Sequence, residues 1–122
     1  MKNLDQIRAR NALVWAEKSF RGQEGGDVLS GFPALIVNNG LLAALAFAAS
    51  NRADDYKTLG QAIAAHLGDQ DVALVPAQCR DLPGLLRELS RAEAHRLLTC
   101  TRETLAFLNY LRRFVKASSR ED

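Results

Sequence analysis

The sequence predicts an all-α protein, a single compact bundle of five or six helices that ends in a long C-terminal helix. Three observations predict it. Apolar residues recur at steps of three and four along most of the 122 residues. Strand signals are nearly absent, since the one short apolar run, 72–75, is ended by Pro76. Capping residues and breakers also mark off segments of helical length. The length suits one domain, residues 1–122.

The first helix is expected to start near Asn3, where Gln6 completes capping-box spacing. Leu4, Ile7, Ala9, Leu13, Val14, Ala16 and Phe20 give it a broad apolar face. Residues 21–31 hold four glycines and read as a loop with at most a short turn near Val28. Pro33 fits the first turn of a second helix that runs toward Ser50.

Asn38, Asn39 and Gly40 interrupt that apolar stretch. On a continuous helix Asn38 aligns with Leu41, Leu42 and Leu45, and Asn39 with Leu35, Leu42 and Ala46. Both amides are then expected near the buried surface. Leaving one unpartnered there costs roughly 1–3 kcal/mol, so each needs a partner. Gly40 leaves room for a second backbone to approach. The trio reads either as a polar clasp between helices or as a contact to another chain or nucleic acid. Asn38, Asn39 and Gly40 are therefore candidates for packing or subunit contact.

A third helix fits residues 54–67, with Tyr56, Leu59, Ile63 and Leu67 on one face and Gly68 as its stop. Residues 69–80 read as irregular. Asp81 caps a short helix with Pro83 in its first turn, ending near Leu89. Ser90 and Glu93 have capping-box spacing and would open the longest helix, from Arg91 to about Ser118.

Composition excludes several classes. The hydrophobic fraction is 48%, the charged fraction 25% and the net charge +2, so nothing global demands an acidic partner. The N-terminus is charged and lacks an apolar signal core. Residues 32–49 fall short of the ~20 that a spanning helix wants. A soluble, cytoplasmic protein is expected. Cys79 and Cys100 match no zinc pattern and read as reduced thiols. His66 and His95 fit structural or surface roles. No phosphate-binding loop, dinucleotide fingerprint or nucleophile elbow occurs. The expectation is no catalytic residue, no metal ligand and no cofactor.

The last helix carries the functional signal. Between residues 87 and 116 there are seven Lys or Arg and three Glu, a local excess of four positive charges. Leu97, Leu98, Leu105, Leu108, Leu111, Phe114 and Val115 supply its apolar positions. Arg91, His95, Arg102, Asn109, Arg113 and Lys116 follow steps of three, four and seven, and Arg120 would extend the row. No carboxylate falls on it. At 1.5 Å per residue the row runs on the order of 35 Å. It is either a solvated face or a contact for a phosphate backbone. Trp15 and Tyr110 could stack on bases, though core burial suits both.

Two stretches resemble a known family. Pro33-Ala34-Leu35-Ile36, then Asn39-Gly40-Leu41-Leu42, then Leu45-Ala46-Phe47, is similar to the signature of the small all-helical subunit of Cmr, or type III-B CRISPR, RNA-targeting effector complexes. The run from Thr101 to Phe114 resembles that family's final helix, and the pattern around Arg8, Ala12 and Ala16 is compatible. His95 and Tyr110 depart from the residues usual there. The resemblance implies a non-catalytic subunit whose copies stack head to tail into a short filament. That filament lies beside a larger one, built from the backbone subunit, which holds the guide RNA. The implied partners are other Cmr subunits, copies of itself, guide RNA and target RNA, with no membrane. From the residues alone, a small helical DNA-binding regulator or protein adaptor is the alternative. Its helix-turn-helix would have to use the junction at 89–91.

Overall fold

In the computed structural model the description covers residues 3–18 and 22–121, and their side chains apart from those of 18, 22–27 and 118–121. The described residues form six α-helices and one 3₁₀ turn, and no strand. The helices are α1 (Leu4–Lys18), α2 (Gly22–Asn39), α3 (Leu41–Ser50), α4 (Asp54–Leu67), α5 (Leu82–Ser90) and α6 (Ala94–Glu121).

Asn3 and Gln6 form the expected capping box. The Gln6 N–H donates to Asn3 Oδ1 at 2.9 Å, and the Asn3 N–H donates to Gln6 Oε1 at 3.0 Å. The apolar face of α1 is narrower than expected. Ile7, Ala12 and Ala16 are buried, whereas Leu4, Leu13 and Val14 are exposed.

Residues 22–31 are not the expected loop, because α2 already begins at Gly22 and Pro33 lies inside it; Arg21, and Phe20 of the expected α1 face, lie outside the described residues. Val28, Leu29, Phe32 and Ile36 are all buried, and these four share one helical face. Their burial outweighs the roughly 1 kcal/mol that each interior glycine costs a helix.

The second expected helix is in fact two. Gly40 separates α2 from α3 with φ 92° and ψ 158°, a region open essentially to glycine alone. Its N–H closes α2 on the Ile36 carbonyl at 2.7 Å, and its carbonyl accepts the Ala44 N–H of α3 at 3.1 Å. The chain turns at this residue without losing either helix end.

The bounds of α4 are those read from the sequence, with Asp54 and Asp55 in its first turn. Gly68 ends it in a right-handed conformation. Residues 72–75 form no strand; the Leu74 and Val75 N–H groups both donate to the Leu67 carbonyl. The 3₁₀ turn Ala77–Cys79 follows. Asp81 caps α5 by accepting the Gly84 N–H at 2.7 Å. The Ser90–Glu93 capping box does not form. Ser90 Oγ donates back to the Arg87 carbonyl at 2.7 Å, so α6 starts at Ala94 rather than Arg91.

The buried face of α6 packs against α1, α2 and α4, while α3 packs against α2, α4 and α5. Phe32, Leu45, Leu59, Ile63, Leu85, Phe107 and Leu111 are fully buried at the centre. Gly60 lets α4 and α5 come close, since a Cβ there would sit 2.5 Å from Leu82 Cδ2. Arg96 holds the linker after α4: its Nε and Nη2 donate to the Leu74 carbonyl at 3.2 and 3.0 Å, and its Nη1 pairs with Glu88. No helix among the described residues is long and apolar enough to cross a membrane.

Candidate nucleic-acid interface

The burial of one face of α6 dictates what the opposite face presents. Cys100, Glu103, Thr104, Phe107, Leu108, Leu111 and Val115 point inward. His95, Arg102, Asn109, Arg113 and Lys116 are exposed on the far side. At 1.5 Å per residue, His95 and Lys116 stand about 32 Å apart. Among the described residues, Arg102 and Arg113 pair with no carboxylate. Arg112, also exposed, widens the cationic surface.

Arg91 leaves the row. It lies past α5, exposed, with Nη2 3.7 Å from Glu88 Oε2. Leu98, expected in the core, is exposed. Tyr110 and Trp15 are half-buried; Tyr110 meets Phe114 at a centroid distance of 6.1 Å.

Asn38 and Asn39 do not lie against the core. Both are exposed, as is Val37 at 71%. Asn39 Nδ2 donates to the Leu35 carbonyl of its own helix, at 3.4 Å. The expected burial assumed one unbroken helix, and the turn at Gly40 resets the faces. With Gly40 the two amides make a polar, outward-facing corner.

The buried polar centre lies elsewhere, and sequence reasoning missed it. Glu103 of α6 is 5% exposed, and accepts from Arg8 Nε at 2.8 Å, Arg8 Nη2 at 2.7 Å and His66 Nε2 at 2.9 Å. Burial works against its charge, but Arg8 and then His66 outweigh burial and hold the carboxyl down at about 2. The same contacts raise Arg8 above its ordinary range. On the other side of His66, Asn11 bridges to Asp69, which pairs with Arg10 at 2.9 Å. Burial opposes the Asp69 charge too, yet the Asp71 N–H, Asn11 and Arg10 hold it below its usual value. The signal was present: Glu103 and His66 occupy positions where the apolar spacing of α6 and α4 expects a leucine or valine.

No described cluster of His, Cys, Asp or Glu could hold a metal ion. Cys79 and Cys100 are free and buried, and burial pushes the Cys100 thiol up.

The family described as CRISPR-associated protein (Cas_Cmr5) matches residues 4–118. A "CRISPR system Cmr subunit Cmr5" from Thermus thermophilus is 32% identical over 120 residues, covering 96% of each chain. The crystal structure of a CRISPR-associated Cmr5 family protein from the same organism superposes with a TM-score of 0.79 at 31% identity, covering 96% of this chain and 97% of that one. None of these similarities favours a DNA-binding regulator.

Proposed function

Since this chain belongs to the CRISPR-associated Cmr5 family, we propose that it is a non-catalytic structural subunit of a cytoplasmic Cmr ribonucleoprotein that lays the exposed face of α6 along guide or target RNA. The observation that carries the reading is the row His95, Arg102, Asn109, Arg113 and Lys116. It is exposed, contains no carboxylate and is long enough to follow several phosphates. Its two guanidinium groups, Arg102 and Arg113, and the Lys116 ammonium suit a phosphate backbone and read no bases. Copies of the chain stack into a minor filament beside the larger backbone subunit. The corner at Asn38, Asn39 and Gly40 suits a subunit contact, because its polar groups and the exposed Val37 face outward.

The test is a reconstituted Cmr complex carrying Arg102→Glu and Arg113→Glu. Assembly is expected to persist while target RNA is retained less tightly. The slope of log affinity against log salt should fall by about one for each phosphate that is no longer neutralised. Unchanged affinity and slope would remove α6 from the RNA groove.

A further inference from the structure

A small cavity of about 130 Å³ opens between α1 and the end of α4. Val14, Trp15 and Ala65 supply its apolar walls, and Asn11, His66, Asp69 and Arg80 its polar groups. The acceptors there are already taken. Asp69 Oδ1 accepts the Asp71 N–H at 2.8 Å, and Oδ2 accepts Arg10 Nη2 at 2.9 Å and Asn11 Nδ2 at 3.2 Å. Asn11 Oδ1 accepts Arg10 Nε at 3.2 Å, and both His66 ring nitrogens are engaged.

Arg80 differs. It is exposed and makes no hydrogen bond or ion pair among the described residues. It acts on Asp69 through space, and less than the Asp71 N–H, Asn11 or Arg10 do. The Trp15 indole N–H also lacks a partner among the described residues. What the cavity has left to offer is therefore donors, with one positive charge. Gly68 seats that charge. Its φ of −90° and ψ of 0° are open to most residues, so the backbone does not call for glycine. A Cβ there would instead lie 2.5 Å from Arg80 Cγ. Without one, the Arg80 stem rests against the end of α4 and its head reaches the cavity.

We propose that this cavity is an anchor site for one acidic side chain of a companion polypeptide, a glutamate or aspartate whose carboxylate takes the Arg80 guanidinium. Its methylenes would lie on Trp15, Val14 and Ala65. Such occupancy rests on the subunit role proposed above. A planar guanidinium matches a single carboxylate with two parallel hydrogen bonds. Val14, 45% exposed, gives the site an apolar rim that keeps water from the pair. Nucleic acid fits less well. The volume is well below the roughly 300 Å³ at which small-molecule pockets begin. Around the cavity Arg10 and Arg80 are balanced by Asp69 and Asp71, so no excess positive charge draws a polyanion, in contrast to the outer face of α6.

The reconstituted Cmr complex provides the test. Arg80→Glu should fold as wild type does, since Arg80 has no internal partner, and Trp15, the sole tryptophan, reports this by its emission. Incorporation of the chain should fall by more than about tenfold. Gly68→Ala displaces the guanidinium without removing it and should lower incorporation by a smaller factor. Arg80→Lys, followed by carbodiimide coupling and peptide mass spectrometry, identifies the occupant. The expected product joins position 80 to a glutamate or aspartate of another polypeptide, whether a second copy or a different subunit. Coupling to Asp69 alone would overturn the proposal. So would wild-type incorporation of Arg80→Glu, or a loss of RNA with every protein contact intact. Should Arg80→Glu misfold, the coupling result decides alone. A wild-type chain that fails to join the complex would refute the subunit role itself, and the anchor with it.

Discussion

Glu103 sits where the apolar spacing of α6 calls for a leucine, and three hydrogen bonds hold it there as a carboxylate. Glu103→Gln leaves the Arg8 guanidinium facing an amide. It should cost about 3 kcal/mol at neutral pH, near the lower bound for breaking a buried pair because Arg8 keeps some access to water. Urea midpoints measure this. The folded-state carboxyl lies below its ordinary value, so its contribution is complete above that value and is lost as the pH falls through about 2. Wild type should thus lose stability across the acid range more steeply than Glu103→Gln. At this scale the sequence was half legible. A lone carboxylate and a lone imidazole on apolar faces are visible as anomalies. That they meet each other, 37 residues apart, is tertiary information. The amides of Asn38 and Asn39 misled in the opposite sense: they interrupt an apolar stretch yet face outward.

Helix boundaries were readable where chemistry local to the chain sets them. Asp81 announces α5 through its cap on the Gly84 N–H; Asp81→Ala should cost about 1 kcal/mol in thermal or urea unfolding. Asn3 and Gln6 announce α1, and Asp54 and Leu67 bound α4 as read. Boundaries were lost where burial overrides propensity. The glycines of 21–31 argue for a loop, but Leu29, Phe32 and Ile36 draw the segment into a helix. The break at Gly40 was hidden because every face assignment in 32–50 presumed continuity. A Cβ at residue 40 would meet nothing within 4 Å. Gly40→Ala should nevertheless destabilise by about 1–3 kcal/mol, from backbone strain alone. An unchanged midpoint would show that the turn can be made with another backbone geometry.

On the scale of the molecule, the fold class and the long last helix were legible because periodicity and the near absence of strand signals report them directly. The inward side of α6 was legible in part: Leu108, Leu111 and Val115 are buried as read, but the burial of Glu103 and the exposure of Leu98 depend on how α1, α2 and α4 pack against it. The outward side tolerates change. Arg102→Glu with Arg113→Glu should shift stability by no more than about 0.5 kcal/mol in the isolated chain, as checked by thermal unfolding. The loss should appear only in the retention of RNA by the assembled particle.

The tie between Arg8 and Glu103 spans 95 positions. On a ribosome adding roughly 5–20 residues per second, the first helix emerges well before the last, and the interval is on the order of ten seconds. Through that interval Arg8 has Asp5 of its own helix but lacks its long-range partner. It can close onto Glu103 only once α6 has been synthesised.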